Sequence, residues 1–388
     1  MLRAGFPAPA CARISLVRAR RLLTVVIAGT LAATTVGCKK GSGNGDGGTD
    51  AADDACDFSA EPRFDAGPPI PIPANPTLPN FFDVWGAAPN DIYAVGTAGL
   101  VMHWDGVSWT QVTQVPAVTT DLFSVSGCSA TDIYAVGLGG VILHYDGTTW
   151  TQQATPMGDG GMPITPDLHA VSCTSTGPAG QAIAVGVDAT MIRTNDAGLT
   201  WALVSVPTQE TLNGVWTSGG GAVAVGNLGT IIEWDGAAWQ RRRISGLTGH
   251  LKGVWGWDAG NVFALGLNGT VVTNQGGTWQ KLAPTSVQPR DLECQQGPAP
   301  WPSVYLRDVW GASGRLLLVG WSGTIMVAAN NVATVYQVTE NRLESIWGTM
   351  VIDTPGQGDG GIPDGGLEYH YEATIVGVTG AIIRVRMD

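Results

Sequence analysis

Charge is scarce in this 388-residue chain: Asp, Glu, Lys and Arg together make up 13% of it, about half the share of an ordinary globular domain. Long solvated helices rich in Glu and Lys are excluded as its main element. Positive charge is scarcer still. Twenty Lys and Arg stand against 32 Asp and Glu, a net charge of −12, and that balance excludes a basic nucleic-acid binder. There is no C-x-x-C pair, so an intracellular zinc site has no sequence support. Neither G-x-S-x-G, H-E-x-x-H nor a Walker loop occurs, and hydrolases and NTPases built on them are left without a motif. The Asp/Gly-rich stretches match neither D-x-[DN]-x-[DN]-G nor the RTX nonapeptide, so no metal and no cofactor is expected.

What the chain does have is 55 Gly, 23 Pro and 15 Trp, a composition suited to many short strands and tight turns around aromatic packing. The N-terminus carries an address. Residues 1–37 hold five Arg and no acid, and an apolar run from Leu22 to Val36 leads into Gly37-Cys38-Lys39-Lys40. Basic flank, short apolar core and small residues make a secretory signal, and the run falls short of the roughly 20 residues of a membrane span. Thr35-Val36-Gly37-Cys38 resembles the bacterial lipobox, departing from it at Thr35, where that pattern prefers Leu. The resemblance implies that Cys38 is lipidated and forms the mature N-terminus; an uncleaved anchor or ordinary cleavage is the alternative. Lys39 in the next position resembles lipoproteins released to the outer membrane, so a lipid-anchored place in the bacterial cell envelope is expected. Without residues 1–37 the chain keeps 15 basic and 32 acidic residues, a charge of −17. Residues 38–67, rich in Gly, Asp and Ala, read as a flexible tether.

From residue 68 to 388 one phrase repeats. Phe82-Asp83-Val84-Trp85-Gly86 is followed by Asp91-Ile92-Tyr93-Ala94-Val95-Gly96, then Val101-Met102-His103-Trp104-Asp105-Gly106 and Ser108-Trp109. Later copies are anchored at Ser126, Ser172, Trp216, Trp255, Trp310 and Trp347, and Trp85 and Trp347 stand 262 residues apart, a period near 44. Each copy predicts four short strands divided by Gly or Asp-Gly turns, which is one propeller blade. The expected fold is all-β, a seven-bladed propeller of four-stranded antiparallel blades.

Thr194-Asn195-Asp196-Ala197-Gly198-Leu199-Thr200-Trp201 resembles the Asp-box (BNR) pattern S/T-x-D-x-G-x-T-W at Thr194, Asp196, Gly198, Thr200 and Trp201. The whole repeat region resembles the VWG/AVG-repeat propellers of secreted bacterial proteins. It is more distantly similar to photosystem II assembly-factor propellers and to sialidases. Because Asp-Gly and Trp recur blade after blade, their expected role is turn geometry and packing. His103 and His144 share one repeat position and read as structural for the same reason.

The seventh copy ends after its third strand. Pro69, Pro71 and Pro73 alternate with Ile70, Ile72 and Ala74, so that every missing N–H could face outward from an edge strand. Residues 68–75 are therefore expected to complete blade seven, with a polyproline linker as the alternative. Insertions fall at 155–166 and 283–303, between an outer strand and the next inner strand, and between the first two strands of the last copy, on the opposite face. Cys128 and Cys173 follow corresponding anchors in neighbouring blades, which predicts a disulfide; Cys56 and Cys294 form the remaining pair.

Catalysis has thin support: a sialidase-like reaction needs three arginines around a Tyr/Glu pair, and Arg193, Arg290, Arg307 and Arg315 sit in no matching motif. One cluster departs from the repeat. Arg241-Arg242-Arg243 lies at the end of the fourth outer strand, on the face expected to carry Arg290 and Trp301. It suits a hot spot for a protein or anionic glycan, or equally a charged guard on an edge strand. The expected function is that of a monomeric, lipid-tethered, non-catalytic binding or assembly module with a protein or glycan partner. Glycan recognition or hydrolysis is the alternative.

Overall fold

The computed structural model describes residues 63–66, 78–173, 181–282, 286–289, 304–312, 314–329, 332–352 and 369–387. The chain divides after Ser59, and the first unit lies outside the described residues, and with it the signal segment, Cys38 and Cys56. The rest is an all-β propeller of seven blades. Their inner strands are Phe81–Ala88, Leu122–Ser129, Leu168–Cys173, Leu212–Ser218, Leu251–Gly256, Leu306–Ala312 and Leu343–Ile352.

Chemistry changes from the axis outward. Second strands such as Asp132–Gly137 are continuous apolar runs, and Ile133, Tyr134, Ala135 and Val136 are fully buried because neighbouring blades cover both faces. Outer strands such as Trp150–Gln152 bury a single Trp and leave the rest in water. Between second and third strands each blade makes a tight turn with two residues in the left-handed region, as at Ala98-Gly99 and Leu228-Gly229. That is the type I′ geometry that matches strand twist, and it explains the glycine at the second position in every blade but the third, where Asp188-Ala189 adopts it. The core consists of seven apolar clusters, each shared by two adjacent blades.

Near the axis the anchor residues join one blade to the next. A Cβ on Gly86, Gly127, Gly256, Gly311 or Gly348 would lie within 2.4–3.1 Å of the ring of Trp347, Trp85, Trp216, Trp255 or Trp310 respectively, each from the preceding blade. The ring of one anchor therefore lies on the bare backbone of the next, which makes these Trp packing residues. Where the anchor is Ser, the next blade carries a side chain instead of Gly. Ser126 Oγ accepts the Cys173 N–H at 3.2 Å, and Ser172 Oγ lies 2.9 Å from Thr217 Oγ1. Beside the first of these, Cys128 and Cys173 are disulfide-bonded with Cα atoms 4.9 Å apart, as expected from their neighbouring anchors.

Two expectations are corrected. The outer strand of blade seven does come from the N-terminal segment, but it is Arg63–Ala66, paired antiparallel with Ile382–Met387. The strand thus falls within the stretch read as tether, whereas the Pro-alternating residues 68–75 lie outside the described residues. Blade six has five strands, because Ser286–Pro289 from the 283–303 insertion runs parallel to Val332–Gln337 along its outer edge. The last insertion lies where expected: Leu343–Ile352 and Tyr369–Gly377 pair up to Ile352 and Tyr369, and residues 353–368 lie outside the described residues.

Candidate functional site

All seven inner strands slip by one residue against their partner near their start. The bulged residues are Phe82, Phe123 and His169 in blades one to three, Asn213 in blade four, and Lys252, Arg307 and Glu344 in blades five to seven. A bulge re-aims a side chain, and here all seven line one cavity of about 360 Å³ on the axis. It opens at the end where the inner strands begin.

The mouth is divided by chemistry. On one side Phe82 and Phe123 meet edge to face at 5.8 Å, and Phe123 meets His169 at 6.1 Å. Burial holds the His169 pKa below its ordinary value, and the neutral ring places Nδ1 3.2 Å from the Leu212 carbonyl. On the other side Arg307 Nε donates to Glu344 at 2.6 Å, and Arg342 forms a second ion pair with the same fully buried carboxylate. Lys252 has its pKa depressed by burial and by the charge of Arg307. Among the described residues its one hydrogen bond, 3.1 Å to Asn213 Oδ1, leaves ammonium donors free.

Beneath this ring sits a pair of carboxyls. Ser345 Oγ is 2.6 Å from Asp83 and 2.8 Å from Asp308, and Ser124 Oγ donates to Asp83 at 2.7 Å. One hydroxyl proton serves one of the two contacts of Ser345 at a time, and a proton on either carboxyl would supply the other. Burial and the neighbouring Asp83 push Asp308 up to about 6, and burial also raises Asp83. Backbone N–H groups of Val125 and Ile346 complete the pair. Three cations therefore face Glu344 and a carboxyl pair whose burial favours the protonated form, which leaves the mouth rich in positive charge for an acidic protein.

No family model and no curated protein matches the chain. Solved structures do. One, described as YCF48 bound to D1 peptide, is 17% identical with a TM-score of 0.56, over 84% of this chain and 94% of that one. YCF48 from Cyanidioschyzon merolae follows at 15% identity and 0.54, over 83% and 98%. U3-55K reaches 0.58 at 9% identity, over 84% and 98%. The likeness is one of fold. It agrees with the resemblance to assembly-factor propellers and extends it to WD40 propellers.

The other predicted residues have local roles. In the Asp-box Asp196 accepts from the Thr200 N–H at 2.9 Å and from the hydroxyls of Thr194 and Thr200, which hold its carboxyl below the usual range, while Trp201 is buried against Tyr134. Asp105, Asp146 and Asp235 accept N–H bonds in the corresponding turns. His103 and His144 bond to Asp91 and Asp132 at 2.7 and 2.8 Å and stack on Tyr93 and Tyr134. Arg242 is tied to Glu233 of its own blade at 2.6 Å, and Arg241 and Arg243 beside it are exposed. Arg290, Trp301 and Cys294 lie outside the described residues. Cys128 and Cys173 lie close to Asp132, but as a disulfide they offer no thiolate to a metal.

Sequence reading passed over the mouth. Its residues stand three positions before the anchor in every copy, and this is the position where Phe, His, Asn, Lys, Arg and Glu replace one another while the preceding position stays Phe or Leu. Variation inside a repeat was the available signal.

Proposed function

We propose that the protein is a non-catalytic binding module that holds an acidic, aromatic-containing segment of a protein partner across the mouth of its channel. The observation that carries this reading is the division of one cavity between an edge-to-face aromatic sector and a cationic sector with a free ammonium. The carboxyls of the site are engaged: Glu344 by two arginines, Asp83 and Asp308 by serines and backbone N–H groups. A general acid or base must reach a substrate, and such stitched carboxyls are poorly placed to do so. A similar propeller has been solved with a bound peptide, which favours a peptide segment as occupant here. In this reading Cys38 carries the lipid, the module stands on the envelope side of a bacterial membrane, and the Cys128–Cys173 bridge suits that oxidising compartment.

The test is selection from a displayed peptide library on immobilised protein, with a glycan array and fluorogenic glycosides in parallel. Enrichment of peptides joining Asp or Glu to an aromatic residue is expected, with binding weakened about tenfold or more by Lys252→Glu. Glycan retention or cleavage without peptide enrichment would replace this reading with the glycan alternative.

A further inference from the structure

At three of the seven boundaries adjacent blades make a second contact further from the axis, and at the boundary between blades three and four a groove lies in its place. In blade one Tyr93 stacks on His103 at 4.5 Å, His103 is bonded to Asp91, and the Tyr93 ring lies 6.0 Å from Trp150 of blade two. In blade two Tyr134 stacks on His144, His144 is bonded to Asp132, and Tyr134 meets Trp201 of blade three at 5.8 Å. In blade seven the cation is Arg384, paired with Glu372 at 3.3 Å and seated 5.0 Å over Trp104 of blade one. At all three boundaries an acid, a cation or imidazole, and the next blade's Trp are brought together.

Blade three presents Gln181, Ile183 and Arg193 at these positions. The acid has become an amide and the ring an aliphatic chain. Across the boundary Trp234 and Trp239, 5.9 Å apart, stand where Tyr145 and Trp150 stand in blade two. Between them lies a groove of about 390 Å³ whose lining includes Ile183, Arg193, Leu203, Trp234 and Trp239. Arg193 is exposed and makes no ion pair or hydrogen bond among the described residues. The groove thus offers an indole pair without its ring and a guanidinium without its carboxylate.

We propose that the groove between blades three and four is a binding site for a small planar aromatic carboxylate. The ring lies against Trp234 and Trp239, and the carboxylate takes the fork of Arg193. The volume suits a molecule of one or two fused rings. This site is separate from the channel mouth and does not depend on the function proposed for it.

Calorimetric titration at 0.15 M salt with indole-3-acetate, and with tryptamine as its cationic counterpart, tests the site. Saturable binding of indole-3-acetate is expected, with tryptamine at least about tenfold weaker. Arg193→Gln, a change at an exposed side chain, should weaken indole-3-acetate by about tenfold or more and leave the melting temperature unchanged. Gln181→Asp/Ile183→Tyr/Arg193→His rebuilds the contact of blades one and two; it should remove binding and keep or raise the melting temperature. Lys252→Glu, which alters the channel mouth, should leave the affinity for indole-3-acetate unchanged. Absence of saturable heat up to millimolar indole-3-acetate, equal binding of tryptamine, or full binding by Arg193→Gln would each overturn the assignment, whatever the triple variant does.

Discussion

At Gly348 an added methyl group would sit 2.7 Å from the ring of Trp310, and the same crowding recurs at four other glycines against the preceding Trp. Gly348→Ala should therefore cost about 1–3 kcal/mol as an overpacked contact, and Trp310→Ala about 3–5 kcal/mol as a lost buried ring. Ser172 with Thr217 shows the alternative solution to the same joint. Trp310→Ser/Gly348→Thr should accordingly be more stable than the sum of its single variants by about 1 kcal/mol or more. Additive losses in urea unfolding would mean that ring and glycine are not partners. The pairing was legible without a structure: Cys173 and Thr217 replace Gly in the copies that follow Ser126 and Ser172, and nowhere else. Reading each copy alone hides it. Titration adds a second residue-scale prediction. A folded-state pKa near 6 for Asp308, against 3.8 for an ordinary Asp, means the native state binds the proton more tightly. Its contribution is fully present below about pH 4 and is lost as pH rises through 6. Asp308→Asn should flatten that decline, of order 1–3 kcal/mol between pH 4 and 7. Parallel stability curves for variant and wild type would exclude the raised pKa of Asp308.

Strands explain what could and could not be foreseen about closure. Blade count, strand order and the turns followed from period and punctuation, because each copy buries its second strand on both faces and must break at glycine. The closing strand did not. Alternating prolines at 69, 71 and 73 suggested an edge, yet the ladder uses Arg63-Phe64-Asp65-Ala66, a charged and apolar alternation that also suits an exposed edge. Register between distant segments is not written in local pattern. A chain lacking residues 1–59 should keep its melting temperature, whereas one lacking residues 1–67 loses the Arg63–Ala66 ladder. The loss should be on the order of 2–4 kcal/mol, about one per hydrogen bond, together with a tendency to associate through the bare edge of Ile382–Met387. Equal stability of the two truncations would show that this strand does not close the ring. The bulges that build the mouth were hidden for a related reason: a one-residue slip leaves the sequence of the strand unchanged and alters only which residue faces the axis.

Over the whole molecule the charges oppose the site. The chain carries −12, while the mouth gathers Lys252, Arg307 and Arg342, of which the Lys252 ammonium keeps donors for a ligand. An acidic segment approaching from solution meets repulsion at long range and attraction only within the mouth. Screening acts most on the first: the Debye length falls from about 30 Å at 0.01 M salt to about 8 Å at 0.15 M. Raising salt across that range should therefore speed association of an acidic, aromatic peptide selected by the display experiment. Dissociation should speed up as well, because the short-range ion pair is weakened too. A basic cluster acting as the docking surface, such as an exposed Arg241 and Arg243 edge, would steer the same peptide inward, and association would then slow with salt. Stopped-flow association rates at 0.01, 0.05 and 0.15 M salt separate the two geometries. A falling rate would move the binding site from the channel mouth to the outer edge of blade four.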